Sequence, residues 1–478
     1  MRKPPISPSL AALAGALLLS ACKTFSPDGG MSVATAIAER DLKKEVIAVR
    51  GEDDAAAARA HVERLLKRAL TAEAAVQIAL LNNRGLQAAY NELGIAETAM
   101  VAANLPPNPT ISVSRIASAA DIEIERRIVA SILALATLPA RAEISGDRFR
   151  QAQLAAAEET VRLAAETRRA YYRAVASQQL AGYLAQAQSA AENAAKLASR
   201  LGETGALNKL DQARQQAFYA EITARLASAR QRAASGREQL IRSMGLWGGD
   251  LAFQLPGALP ALPPRPHALP AIEREAVRRR IDVQIARIEI EALAKSLGLS
   301  QATRFINVLE LGAVSKTTRQ SDGDVNRQRG YEVELQVPIF DFGETRFRQA
   351  EQTYMQALNR LAERAINVRS QAREAYQAYR SSYDIAYHYR REVLPLRKLI
   401  SDETLLRYNA MLIDVFALLV EARERIAANT AAIEAQQEFW LASTDLSVAI
   451  IGGGGISGTS GRNPSSAAGP LANATAGH

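Results

Sequence analysis

Arg148-Phe149-Arg150-Gln151-Ala152 recurs letter for letter as Arg346-Phe347-Arg348-Gln349-Ala350. Each copy has a proline a few residues upstream, Pro139 and Pro338, and a long helical run downstream. Farther along, Arg169-Ala170-Tyr171 answers Glu374-Ala375-Tyr376. The offset is 198 residues at the first match and 205 at the second. The difference of seven reads as one heptad, which a coiled coil gains without moving its seam to another face. Two tandem copies of a strand-then-long-helix unit imply a structure built by duplication and stacking.

The helices carry coiled-coil spacing. From about Ile144 to Ser199 only Gly146 and Gly182 interrupt, a run of roughly 80 Å at 1.5 Å per residue. In the second copy Phe347, Tyr354, Leu361, Val368 and Ala375 fall every seven residues, with Ala350 and Ala357 three later in the first two repeats. Alanine-rich seams let helices approach closely, although an ordinary soluble bundle has the same period. Earlier helices are expected over about 72–104, with Thr71 as N-cap, and about 269–297. The first stops at Leu105-Pro106-Pro107-Asn108-Pro109.

Between these helices the period changes to two. Ile111 and Val113 alternate with Ser112 and Ser114, and Ile122 and Ile124 with Glu123 and Glu125. The run Ile128 to Leu138 is more uniformly apolar and reads less clearly as a strand. In the second copy Phe305 to Val314 is strand-like, Lys316 to Arg329 reads as a polar tip, and Tyr331, Val333, Leu335 and Val337 alternate with Glu332, Glu334 and Gln336. Such alternation suits lipid on one face and water on the other, or a two-sided soluble sheet. Four strands close no barrel of useful bore, so a membrane reading requires several protomers to share one. No apolar stretch of about 18 residues follows Cys22, so a span must be made of strands.

Residues 1–21 read as a lipoprotein signal peptide: Arg2 and Lys3, an apolar core from Leu10 to Leu19, then Leu19-Ser20-Ala21-Cys22 in the pattern of a bacterial lipobox. Cys22 is the only cysteine, which excludes an internal disulfide. A diacylglyceryl thioether there, with an N-terminal acyl chain, supplies two hydrophobic anchors; Lys23 in place of Asp favours the outer membrane. The remaining chain divides into an N-terminal equatorial segment (22–70), a first helix-strand-strand-helix repeat (71–250), a Pro-rich linker (251–270), a second repeat (271–451) and a tail (452–478) expected to be disordered.

Composition argues against chemistry. Of 478 residues 48% are hydrophobic but 5% aromatic, and the net charge of +8 becomes +6 without Arg2 and Lys3. Acids and bases interleave along the helices as in solvated faces, with no basic-aromatic stripe for nucleic acid. His61, His267, His388 and His478 lack metal-ligand spacing, no phosphate loop is present, and no catalytic set, metal or cofactor is expected beyond the lipid on Cys22. Tyr376, Tyr379, Tyr383, Tyr387 and Tyr389 read as packing residues.

Over about residues 70–450 the chain resembles the TolC-type outer membrane factor family, in its lipoprotein branch. Leu81-Asn82-Asn83-Arg84-Gly85-Leu86, Leu105 to Pro109, Val337-Pro338-Ile339-Phe340-Asp341-Phe342-Gly343 and the tip segments Gly205-Ala206-Leu207-Asn208 and Arg407-Tyr408-Asn409-Ala410-Met411-Leu412-Ile413-Asp414 carry the likeness. The resemblance implies a mainly α fold with a β part: long antiparallel coiled-coil helices in an α-barrel, plus four strands per protomer in a shared trimeric transmembrane β-barrel. It implies a non-enzymatic exit duct of a tripartite efflux or secretion system, partnered by a periplasmic adaptor, an inner-membrane transporter of RND or ABC type, and outer membrane lipid. Gly205, Asn208, Tyr408 and Met411 become candidate adaptor-docking residues. The family's paired aspartates at the closed end fall on Ala417 and Val420, so Asp211, Asp414 and Lys209 are the candidates for charge at the constriction; capping of the tip turns is the other use of an Asp there. The reading from a different class is a lipid-anchored periplasmic coiled-coil scaffold that forms no pore.

Overall fold

The computed structural model describes residues 25–119 and 121–453. The signal segment, Cys22 and the tail from 454 lie outside the described residues. Short helices α1 (Ser32–Ile37) and α2 (Glu52–Leu66) precede α3 (Ala72–Asn82) and α4 (Arg84–Asn104). Strands β1 (Thr110–Ala117) and β2 (Asp121–Ser131) lead through α5 (Ile132–Ala136) to α6 (Leu138–Glu203), whose 66 residues extend about 100 Å, and α7 (Lys209–Met244) returns alongside it. The second half repeats the plan: α8 (Ile272–Arg279), α9 (Ile281–Ala302), β3 (Val308–Gln320), β4 (Val325–Gln336), α10 (Glu344–His388), α11 (Leu394–Asn409) and α12 (Val415–Ile451). The strands form one antiparallel sheet in the order β1-β2-β3-β4.

Element ends show where the two copies differ in length. α4 and α9 end at Asn104 and Ala302, an offset of 198. β2 and β4 end at Ser131 and Gln336, an offset of 205. The seven extra residues therefore lie in the second hairpin and are not a coiled-coil heptad. Arg148 is structurally equivalent to Thr353, and the identical pentapeptides stand one heptad out of register, on the same face by periodicity. Ala170-Tyr171 and Ala375-Tyr376 keep true register. The Tyr171 hydroxyl donates to the Leu70 carbonyl at 3.0 Å, and the Tyr376 oxygen accepts from the Leu269 N–H at 3.5 Å, at corresponding entries to the two repeats.

Four boundaries differ from the sequence expectation. The helix expected over 72–104 is two helices, because Asn83 adopts an extended backbone and accepts from the Leu86 N–H at 3.1 Å. The Leu81-to-Leu86 motif is thus a docking corner: Asn83 Nδ2 donates to the Ser243 carbonyl at 3.0 Å and Asn82 Nδ2 to the Gly245 carbonyl at 2.7 Å, tying the corner to the end of α7. The helix expected over 269–297 breaks likewise at Arg280. Ile132 to Ala136 is helical, started by the Ser131 side chain, and the supposed polar tip at Lys316–Arg329 is mostly strand, leaving a turn at 321–324.

Alanine makes the helix seams. Ala157, Ala164, Ala174 and Ala176 on α6 are at most 1% exposed, so neighbouring helices meet at close range. In α10 the seam becomes fully buried from Val368 through Ala372, Ala375, Tyr379, Tyr383 and Ala386. Higher up, Phe347, Tyr354 and Leu361 continue the stripe half-buried.

The segment 252–271 contains no helix or strand and crosses this seam. Its prolines have carbonyls but no N–H, so the helices supply donors. Tyr383 donates to the Pro263 and Pro264 carbonyls at 3.0 and 3.1 Å, and Trp440 Nε1 to Pro260 at 3.0 Å. The tyrosines thus hold the linker as well as pack. Tyr383→Phe is expected to lower stability by about 1 kcal/mol, read as an earlier thermal unfolding transition in detergent, with helix content unchanged before the transition.

One buried carboxylate ties the first copy to the second. The Asp147 side chain on α6 is 1% exposed and pairs with Lys295 of α9 at 2.8 Å and with Arg150. Burial pushes its carboxyl up, but the hydrogen bonds from Lys295 and Arg150 and their charges outweigh burial and hold it below the ordinary value. A lowered folded-state pKa contributes stability above the unfolded carboxylate pKa near 3.9, and that contribution is lost as pH falls. Asp147→Asn is therefore expected to destabilise by about 1–3 kcal/mol at pH 7. In parallel melts of variant and parent, the gap should narrow steadily as the pH is lowered from 5 to 3.

Candidate functional site

Two regions stand out: the sheet at one end of the molecule and the helix turns at the other. The register sorts the sheet's side chains onto two faces. On one face lie the rows Leu309–Leu335, Ala130–Leu311–Val333 and Ile111–Ile128–Ala313–Tyr331. On the other lie six acids, Asp121, Glu123, Glu125, Glu310, Glu332 and Glu334, with Arg127 and Lys316 among them. Arg127 pairs with Glu332 at 2.9 Å and Lys316 with Glu123 at 2.5 Å. Gly312, on this charged face, is buried, whereas Leu311 and Ala313 on the other are exposed, so the charged face is the more enclosed.

Both sheet edges are open. β1 pairs only with β2, and β4 only with β3; all eight residues of β1 and all twelve of β4 are exposed. Ile111 is 69% exposed and Tyr331 86%. Unpaired edges of this length recruit further strands.

The Val337-to-Gly343 motif forms the base of the sheet. Phe342 (φ +46°) and Gly343 (φ +70°) turn the chain from β4 into α10. A Cβ on Gly343 would stand 2.2 Å from the Arg304 carbonyl oxygen, so only glycine fits. Arg304 Nε donates to the Phe342 carbonyl at 3.0 Å, and Arg346 to the Thr303 carbonyl at 2.6 Å, locking the turn to the end of α9. Phe305, Phe340 and Phe342 are exposed around this junction, Phe340 to 98%.

At the far end two turns repeat each other with an offset of 206. The N–H groups of Thr204, Gly205 and Ala206 donate to Arg200, Gly202 and Leu201; those of Ala410, Met411 and Leu412 donate to Leu406, Tyr408 and Arg407. Asn208 caps α7 by accepting from the Asp211 N–H at 2.8 Å, and Asp414 caps α12 by accepting from the Ala417 N–H at 2.9 Å. Gly205 has φ +75° and Met411 φ +59°, so the second turn places an exposed methionine where the first has the relaxed residue.

The structure brings the two turns together. Arg214 pairs with Asp211 at 3.1 Å and lies over the Phe416 ring at 4.9 Å. Arg423 of α12 reaches Glu221 of α7 at 3.3 Å, and Arg397 of α11 reaches Glu424 at 2.8 Å. Asp211 is half-buried, Asp414 and Lys209 exposed, and Tyr408 half-buried. Lys209 opens α7 and has no ion-pair partner among the described residues. The inter-helix pairs Arg397–Glu424 and Arg423–Glu221 went unnoticed in sequence, because their separations of 27 and 202 residues carry no local signal.

Among the described residues no group of three or more His, Cys, Asp or Glu is placed to hold a metal ion, and no helix is long and apolar enough to cross a membrane.

No protein-family model matches the chain, and no curated protein matches it by sequence. Solved structures do match. CusC, whose structures were described in terms of transmembrane channel formation, superposes with a TM-score of 0.67 at 15% identity, over 80% of this chain and 92% of its own. The outer-membrane channel OprN gives 0.66 at 18% identity, over 88% and 95%. The open state of the Neisseria gonorrhoeae MtrE outer membrane channel gives 0.64 at 16% identity, over 79% and 88%. With its four-strand antiparallel sheet set on long paired helices, this chain has the fold of the TolC-type outer membrane channels.

Proposed function

We infer that three copies of this chain form a passive channel across the outer membrane, the exit duct of a tripartite efflux or secretion assembly. The observation that carries this is the sheet: two unpaired edges, one apolar face and one acidic, enclosed face. In a bilayer every backbone N–H and C=O needs a partner, which only closure supplies. Three sheets of four strands make twelve, enough for a water-filled lumen lined by the acidic face. Phe305, Phe340 and Phe342 mark the inner interface as an aromatic girdle. The half-buried stripe Phe347–Tyr354–Leu361 is then covered by a neighbouring copy.

Cys22 carries lipid in this reading. Ser26, four residues on, is held by Glu97, seven residues before α4 ends beside the sheet. Four residues of extended chain reach roughly 15 Å, and Glu97 lies about 10 Å of helix before the sheet's base, which supports a lipid anchor at this level. The duct is non-enzymatic, and its energy comes from an inner-membrane transporter of RND or ABC type joined through a periplasmic adaptor. The adaptor docks at the tips around Gly205, Asn208, Tyr408 and Met411. An exposed methionine held in a left-handed turn is a strained feature of the sort that clusters at binding sites. Asp211, Asp414 and Lys209 set the charge there.

Purified mature protein is expected to run as a heat-modifiable trimer and to give stable ohmic steps in planar bilayers. A monomer that conducts nothing would favour the periplasmic scaffold instead. The tip charge is separable from capping, because asparagine caps as well as aspartate. Asp414→Asn is expected to leave the melting transition within about 0.5 kcal/mol of the parent while reducing cation preference. Unchanged reversal potentials in a salt gradient would remove Asp414 from the pore.

A further inference from the structure

The apolar face of the sheet changes character away from the helices. Beyond the row Ile111–Ile128–Ala313–Tyr331 come Val113–Arg126–Ser315–Arg329, then Arg115–Ile124–Thr317–Arg327, then Ala117–Ile122–Arg319–Val325. Five arginines and no acid occupy these rows. Three rows span about 13 Å along the strands and four strands about 14 Å across. All five arginines are exposed, and none joins an ion pair among the described residues. The acids of the same strands all lie on the opposite face, where Arg127 and Lys316 take partners; Asp322 and Asp324 sit in the β3–β4 turn just beyond the last row, and neither forms an ion pair with any of the five. The residues outside the described ones contain no Asp or Glu either. Symmetry adds no carboxylate: a second or third copy brings the same face, with the same five arginines.

A lipid-facing Arg is costly at the bilayer midplane and costs little near the interface. Five together without ion-pair partners also repel one another. Both costs are removed by an anionic group supplied by the membrane itself. Arginine's planar fork suits phosphate oxygens in particular.

We propose that Arg115, Arg126, Arg319, Arg327 and Arg329 form a binding surface for phosphate-bearing lipid headgroups of the outer leaflet. This rests on the channel reading, since it requires the apolar face to meet lipid. The alternating Ile122, Ile124 and Val113 contact the upper acyl chains while the guanidinium groups reach outward to the phosphates. The lipid thereby holds the hairpin ends of neighbouring copies side by side.

The test uses the full mature protein in nanodiscs of phosphatidylcholine, with and without bis-phosphorylated lipid A. Parent protein is expected to retain lipid A through purification and to melt higher with it, an effect weakened by salt. Arg126→Gln combined with Arg329→Gln is expected to lower lipid A affinity about fivefold per arginine removed, whereas the Arg→Lys pair keeps most of it. The variants' melting in pure phosphatidylcholine checks that they fold. Equal retention by parent and Gln variant overturns the proposal. So does an equal melting shift from inorganic phosphate alone, which would mean an anion site without lipid. Failure to oligomerise or conduct in pure phosphatidylcholine sinks the channel reading and this proposal with it. A channel that forms and conducts but does not discriminate the lipids sinks this proposal alone.

Discussion

The hydrogen-bonding groups along the outer edges of β1 and β4 set the terms for the rest of the molecule. Alternate residues along β1, of eight residues, and β4, of twelve, present backbone donors and acceptors without strand partners among the described residues. Water satisfies such groups at the risk of aggregation, and hydrocarbon does not satisfy them at all. In the proposed channel the apolar rows meet lipid, while the acids on the other face meet water. A sheet with these two faces and two bare edges is complete only when the edges meet other edges. In the proposed trimer the helices below then arrive at a closed ring, which accounts for each hairpin of strands being followed by a hairpin of long helices.

Within one chain, two kinds of junction hold the elements together. At the sheet's base, the turn around Gly343 fits against the Arg304 carbonyl with no room for a side chain, so the direction of α10 is fixed by backbone contact. Midway along, Asp147 joins α6 to α9, and Tyr383 and Trp440 strap the proline linker to the second copy. These contacts join segments remote in sequence, as the two halves of a duplicated chain require. The tips have less holding them: capped turns, a few exposed ion pairs and exposed apolar side chains such as Met411 and Leu412. Exposed pairs of this sort contribute about 0–1 kcal/mol each, so the tip is the end where alternative packings differ least in energy.

Periodicity made most of this fold legible. Period two located four strands, heptads located the long helices, and proline runs located the breaks. Signals without a period were misread. Asn83 has a helical neighbourhood, and its role as a corner depends on the end of α7, 160 residues away. Ile132 to Ala136 is apolar throughout, a pattern that fits a strand or a helix equally; the Ser131 cap decides it. The Tyr383 hydroxyl reaches two proline carbonyls, and Tyr376 and Tyr379 accept from the Leu269 and His267 N–H groups, partners that no local pattern announces. The five outward arginines were in view as letters, but their common face emerges only once register pairs Arg126 with Ser315 and Ser315 with Arg329. Asp211 and Asp414 are candidates for charge at the tip in sequence; in the structure Asp414 also caps α12 and Asp211 also pairs with Arg214.

The last residue of offset has a physical cause as well. Copies in register by 205 at Tyr171 and Tyr376 are in register by 206 at the tips. Between them α6 is unbroken, whereas the second copy has a π turn at Tyr389–Val393, in which the Leu394 N–H bonds five residues back to Tyr389. A π turn holds one residue more than the α-helical path it replaces. Pro395 follows at once. In an unbroken α-helix its ring would strike the carbonyl of Arg391, four residues back, and its missing N–H would orphan that oxygen. Widening the helix at that point relieves the clash. It also absorbs the added residue, so α11 presents the same face to α12 as α6 presents to α7. The identical turn geometry at Gly205 and Met411 follows from that correction: without it, one extra residue would rotate the second tip by about 100° about its helix axis.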